Sequence, residues 1–102
     1  MKIIIAGAGK IGFSVASILS DEGHDITVID NNPSTINNLS NNLDVICIEG
    51  SATNSETLRE AGAADADLIM AAMRSDEMNM VCGISARKLG TRHVIALSLI
   101  HI

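Results

Sequence analysis

Five short aliphatic runs alternate with segments of helical periodicity along the whole chain: KIIIA (2–6), DITVID (25–30), DVICI (44–48), DLIMAAM (67–73) and HVIAL (93–97). Each run has the length of a strand. Each is nearly continuous in its apolar character, as strands covered on both faces require. Strand and helix then follow one another with short connections, which leaves few topologies: a doubly wound α/β domain with parallel strands and right-handed crossovers. The expectation is a Rossmann-like three-layer α/β/α fold with strand order 3-2-1-4-5. Hydrophobic residues make up 47% of the 102 residues and aromatics only 1%, so the core must be built from Ile, Leu, Val, Ala and Met. One domain over 1–102 fits this length.

Local signals set the helices. In the first, Ile11, Val15, Ile18 and Leu19 repeat at helical spacing and Gly23 supplies a stop. In the second, Asn32 caps, Pro33 takes the first helical position, and Ile36, Leu39 and Leu43 form the apolar stripe. Thr53-Asn54-Ser55-Glu56 has capping-box spacing for a short third helix that Gly62 ends. The fourth starts at Ser75 or Asp76, carries Met78, Val81, Cys82, Ser85 and Leu89 along one face, and stops at Gly90.

Gly7-Ala8-Gly9-Lys10-Ile11-Gly12 fits G-x-G-x-x-G where the first strand turns into the first helix. Gly7 permits the tight turn, Gly9 leaves room for a pyrophosphate against the backbone, and Gly12 lets helix and strand pack closely. The helix N-terminus then offers unpaired N–H groups to the phosphates. The motif alone also describes a ligand-free turn. Asp30 adds to it, ending the second strand where a carboxylate accepts hydrogen bonds from both ribose hydroxyls. A strand-end carboxylate packs little, so its removal is expected to cost binding far more than stability. The acid repels a 2′-phosphate, and Asn31 and Asn32 follow instead of an arginine. NAD(H), or an adenine nucleotide with a free 2′-hydroxyl, is therefore expected, not NADP(H). Lys10 either reaches a terminal phosphate or is simply solvated. Gly50 and Ser51 leave the third strand at the ligand-binding edge, where they could pass under an adenine. Arg74, after Met73 at the end of the fourth strand, is a further phosphate candidate or another solvated cation.

Other functions find no support. The net charge is −5, with no basic cluster beyond Arg87-Lys88, so no nucleic-acid partner is expected. No segment approaches the roughly 18 uncharged apolar residues of a membrane span, and no secretory signal is visible, so a soluble cytoplasmic chain is expected. Cys47 and Cys82 have no metal spacing and read as buried thiols. The chain lacks tyrosine, His24 and His93 fall at the amino-terminal edge of the sheet, and His101 lies in the tail. No catalytic set or metal site is expected, and the chain is not expected to be an enzyme.

MKIIIAGAGKIG, EGHDITVID, LREAGAADADLIMA and SDEMNMV together resemble the N-terminal domain of the Trk-type potassium-uptake regulatory proteins, also called the KTN or RCK domain. The resemblance covers residues 1 to about 96. It implies a domain that binds NAD(H) or ATP/ADP and moves helices to gate a membrane channel partner, from the inner face of the cell membrane. It places nucleotide contacts on Gly7 to Gly12, Asp30, Gly50-Ser51 and Met73-Arg74, and it implies pairing in dimers. Two departures stand out. The family has a Thr and a small polar or acidic residue where Met73-Arg74 stands, and an arginine-containing segment where this chain reads Leu97-Ser98-Leu99-Ile100-His101-Ile102. The chain thus reads as a fragment of a longer protein with an atypical tail over 97–102. Two readings stay open beside the regulatory one: the cofactor half of an NAD-dependent oxidoreductase, and an interaction module that binds nothing.

Overall fold

The computed structural model describes residues 1–97. Residues 98–102, including most of the unusual tail and His101, lie outside them. Nine elements follow in strict alternation: β1 (Lys2–Ala6), α1 (Lys10–Asp21), β2 (Asp25–Asp30), α2 (Pro33–Asn42), β3 (Ile46–Glu49), α3 (Ser55–Glu60), β4 (Leu68–Ala71), α4 (Asp76–Leu89) and β5 (His93–Ala96). The strands form one parallel sheet in the expected order β3-β2-β1-β4-β5.

The period-two alternation of the strands divides the core between the two faces. Ile4, Ala6, Ile29, Ile69 and Ala71 pack with Leu58 of α3 and with Cys82 and Ala86 of α4. Ile3, Ile5, Ile26, Val28 and Met70 pack on the other face with Ala16 of α1 and Leu39 of α2. This is the α/β/α sandwich that the aliphatic runs demand.

Several local expectations shift. β3 begins at Ile46, not Asp44, because the chain is still leaving α2 through the extended Leu43. β4 ends at Ala71 and β5 at Ala96, shorter than the apolar runs that contain them. The third helix is capped by Asn54, not Thr53: the Asn54 carboxamide oxygen accepts from the amides of Glu56 and Thr57, while Thr53 Oγ1 pairs with Ser51 Oγ at 2.8 Å.

The buried helix faces also differ from the expected stripes. α1 buries Gly12 and Ala16, while Ile11 and Ile18 are 53% and 58% exposed. α4 buries Asn79, Cys82, Gly83 and Ala86, while Met78 and Val81 lie outside. Small residues let these helices approach the sheet; at Gly83 a Cβ would stand 2.8 Å from Val94 Cγ1 of β5. Gly23, Gly62 and Gly90 follow α1, α3 and α4 with positive φ, as their stop signals predict.

Candidate functional site

Parallel pairing brings the carboxyl ends of all five strands to one edge, and the order in which successive strands are added reverses between β1 and β4. That is where doubly wound folds bind ligands. A cleft of about 500 Å³ opens there, lined by Gly7, Ala8, Gly9, Asp30, Asn31, Asn32, Thr35, Ala72, Met73, Arg74, Ser75 and Met78. Its size suits a small-molecule site.

The glycine loop forms one wall, and two of its glycines are required by its geometry. Gly7 turns with φ +96°, and a Cβ there would stand 2.9 Å from the Ala72 carbonyl oxygen. Its amide donates to the Ile29 carbonyl at 2.8 Å, closing the loop onto β2. Gly12 packs so tightly that a Cβ would collide with the Gly7 carbonyl oxygen. At Gly9, by contrast, a Cβ would meet no protein atom within 4 Å. The space in front of Gly9 is open, as a pyrophosphate cradle requires.

Gly9 is also the N-cap of α1, and having no side chain it caps nothing. The first helical bond runs from the Phe13 amide to the Gly9 carbonyl, so the amides of Lys10, Ile11 and Gly12 precede the ladder. α2, α3 and α4 are each capped by a side chain, from Asn32, Asn54 and Ser75. No acidic residue stands in the first turn of α1. Its positive end is left for an anion.

Asp30 sits at the mouth of the cleft, and its carboxylate has structural work of its own. One oxygen accepts from the Ala8 amide and the other from the Asn32 amide, each at 2.8 Å. This corrects the expectation that the side chain packs little: it staples the glycine loop to the start of α2. A carboxylate has about four acceptor positions, so each oxygen keeps one for a ribose hydroxyl. The residues present fit a nucleotide.

The remaining sequence candidates divide. Met73 and Arg74 line the cleft, and the Met73 side chain lies against Gly7. Lys10 lines a neighbouring hollow between α1 and α2, with Phe13, Ser14, Ser34 and Asn38. Ile11 faces outward on α1. Gly50 and Ser51 do not line the cleft; the Gly50 amide donates to the Asp30 carbonyl at 2.9 Å, so they stand beside it. His24 and His93 begin or precede strands at the opposite edge.

The buried Asn79 escaped the sequence reading. Its side chain bonds both the N–H and the C=O of Met73, holding the cleft wall from behind. The signal was present: Asn79 lies three, four and seven residues before Cys82, Gly83 and Ala86, on the face of small residues. Cys82 itself is inert, its thiol pushed up to about 11 by burial. Among the described residues no group of three His, Cys, Asp or Glu could hold a metal ion, and no helix is long and apolar enough to cross a membrane.

Comparison with known proteins agrees with this architecture. A Trk system potassium uptake protein TrkA homolog of Archaeoglobus fulgidus is 40% identical over 95 residues, 93% of this chain and 21% of that protein. The Trk system potassium uptake protein TrkA of Haemophilus influenzae is 47% identical over 81 residues, 79% of this chain and 18% of that protein. The chain spans about a fifth of the length of these two relatives. Among solved structures, the Shewanella denitrificans Kef CTD in its AMP-bound form matches with a TM-score of 0.79 at 28% identity, over 93% of this chain and 57% of that one. The GsuK channel shares the fold with a TM-score of 0.81 at 24% identity, over 98% of this chain and 18% of that one. Residues 3–98 match the family model of the TrkA-N domain, and the chain belongs to that family.

Proposed function

We propose that this chain is a regulatory nucleotide-binding domain of a Trk-type potassium uptake system. Its ligand is NAD(H) or ATP/ADP. The observation that carries the proposal is the cleft between β1 and β4, where an uncapped helix N-terminus and an open glycine loop face the Asp30 carboxylate. The AMP-bound Kef relative and the names of the TrkA relatives support the same reading. In it, the amides at the start of α1 take the pyrophosphate and Asp30 takes the ribose hydroxyls. On this reading Lys10, at the first helical position of α1, and Arg74, in the lining of the cleft, add charge to the phosphates, and Gly50-Ser51 flank the adenine. The domain holds a ligand and performs no chemistry on it.

NADP(H) is disfavoured because its 2′-phosphate would meet Asp30. Like charges at about 4 Å repel by roughly 1–4 kcal/mol, depending on solvent exposure. The whole protein acts from the cytoplasmic face of the membrane, with a potassium transporter subunit as its partner.

Self-association belongs to the same proposal. β5 is the outer strand of the sheet, and beside it Met80, Gly83, Ile84, Val94 and Ala96 line an apolar groove of about 470 Å³. An open strand edge with apolar flanks is a template for pairing; residues 98–100 of the expected edge lie outside the described residues. A homodimer through α4 or β5 follows.

Isothermal titration with NADH, NAD, ATP, ADP and NADPH tests the ligand. Binding of NADH or ADP with weaker NADPH binding is expected; no heat from any of the five overturns the proposal.

A further inference from the structure

β4 and β5 pair from Leu68 to Ala71, and the Leu97 amide continues the ladder by donating to the Ala71 carbonyl at 2.9 Å. In a parallel ladder the next rung would run from the Met73 amide to the Leu97 carbonyl. It does not form. The carboxamide of Asn79 stands in its place, accepting from the Met73 amide at 2.7 Å and donating to the Leu97 carbonyl at 2.8 Å. Its Nδ2 donates as well to the Met73 carbonyl at 3.1 Å. One fully buried side chain therefore fills three backbone positions that the sheet leaves open.

The substitution has a geometric result. With Asn79 inserted, Met73 leaves the sheet and turns into the cleft, where its Cγ stands 3.0 Å from the position of a Cβ at Gly7. The same carboxamide grips the end of β5. Only a carboxamide does this: the site needs one acceptor and two donors on a short side chain, and aspartate of the same shape has no donor when ionised.

We infer that Asn79 is a positioning residue for nucleotide binding, setting the Met73 wall of the cleft and fastening it to the end of β5. The inference rests on the nucleotide reading above. By thermodynamic reciprocity, a ligand that presses on Met73 acts through Asn79 on the carbonyl of Leu97.

The test compares the parent chain with Asn79→Asp and Cys82→Ala. The last truncates a buried neighbour on the same helix face and leaves the Asn79 bonds to Met73 and Leu97 in place, so it reports on lost core packing. NADH and ADP are titrated at a temperature where circular dichroism finds each protein folded. Asn79→Asp is expected to weaken binding about tenfold or more, the equivalent of at least one hydrogen bond. Cys82→Ala is expected to stay within about twofold, which is below 0.5 kcal/mol. In nuclear magnetic resonance spectra of the parent, saturating ligand is expected to shift the Met73 amide and the Asn79 side-chain NH₂ signals together. A folded Asn79→Asp variant that binds like the parent overturns the inference, as does a Cys82→Ala variant that loses as much. Should Asn79→Asp not fold, the parent spectra decide, and Met73 and Asn79 signals that stay in place overturn it. A parent that binds neither NADH nor ADP instead overturns the nucleotide reading beneath it.

Discussion

The open space in front of Gly9 makes Gly9→Val a sharp test of the cradle. The backbone there is extended, with φ −70° and ψ −161°, a region that valine adopts readily, and a Cβ meets nothing within 4 Å. The folded state therefore bears only the poorer N-cap residue, about 1 kcal/mol. Lost chain freedom in the unfolded state offsets roughly 0.4–1 kcal/mol of that. The net change is under about 1 kcal/mol, which moves the melting temperature by only a few degrees in a domain of this size. Binding responds differently. The new side chain fills the volume before the amides of α1, and the pyrophosphate must give up its bonds to them. Bonds to charged acceptors contribute about 1.5–3 kcal/mol each, so losing two weakens Kd by at least about 100-fold. Calorimetric titration with NADH and ADP reads the affinity, and a circular dichroism melt reads the fold. Gly12→Ala is the counterpart: its Cβ collides with the Gly7 carbonyl, so stability falls, by about 1–3 kcal/mol for an overpacked site. A Gly9→Val protein with the parent's affinity would refute the cradle, and a Gly12→Ala protein that melts with the parent would refute the close approach.

Asp30→Ala is expected to lower both affinity and stability, because it removes the ribose acceptor and also the two bonds to Ala8 and Asn32; a variant that melts with the parent would contradict the second half. Each lost bond is a charge-assisted one of about 1.5–3 kcal/mol before water replaces it. The fold should weaken above about pH 9: the unfolded Cys82 thiol ionises around its ordinary value of 9.0, while the folded one holds its proton to about 11. The unfolded state then binds fewer protons, so stability falls by up to about 1.4 kcal/mol per pH unit across that window. Denaturant melts from pH 8 to 11 should show the slope in the parent and lose it in Cys82→Ala. Sedimentation equilibrium at micromolar concentration should find a dimer, and Ile84→Glu, in the apolar groove, should shift it to monomer; a monomeric parent would remove the pairing proposal.

What the sequence determined by itself is the order of the elements, the parallel sheet and the glycine loop. These are carried by signals within a few residues of one another: apolar runs of strand length, helical spacing between them, and glycines at fixed offsets. Chain direction then places the carboxyl ends of the strands, with Gly7, Asp30 and Met73, on one edge, since parallel strands leave no other arrangement. The tertiary structure decided which helix faces are buried and how the cleft is held. Hydrophobicity marks Ile11, Ile18, Met78 and Val81 as inward, yet the sheet accepts Gly12, Ala16, Gly83 and Ala86, because side-chain volume limits how near a helix can lie. Asp30 bonding Ala8 and Asn79 bonding Leu97 join residues 22 and 18 apart, beyond any local periodicity. Such partners are chosen by the backbone groups a folded sheet leaves unpaired, and those groups exist only once the strands have stopped.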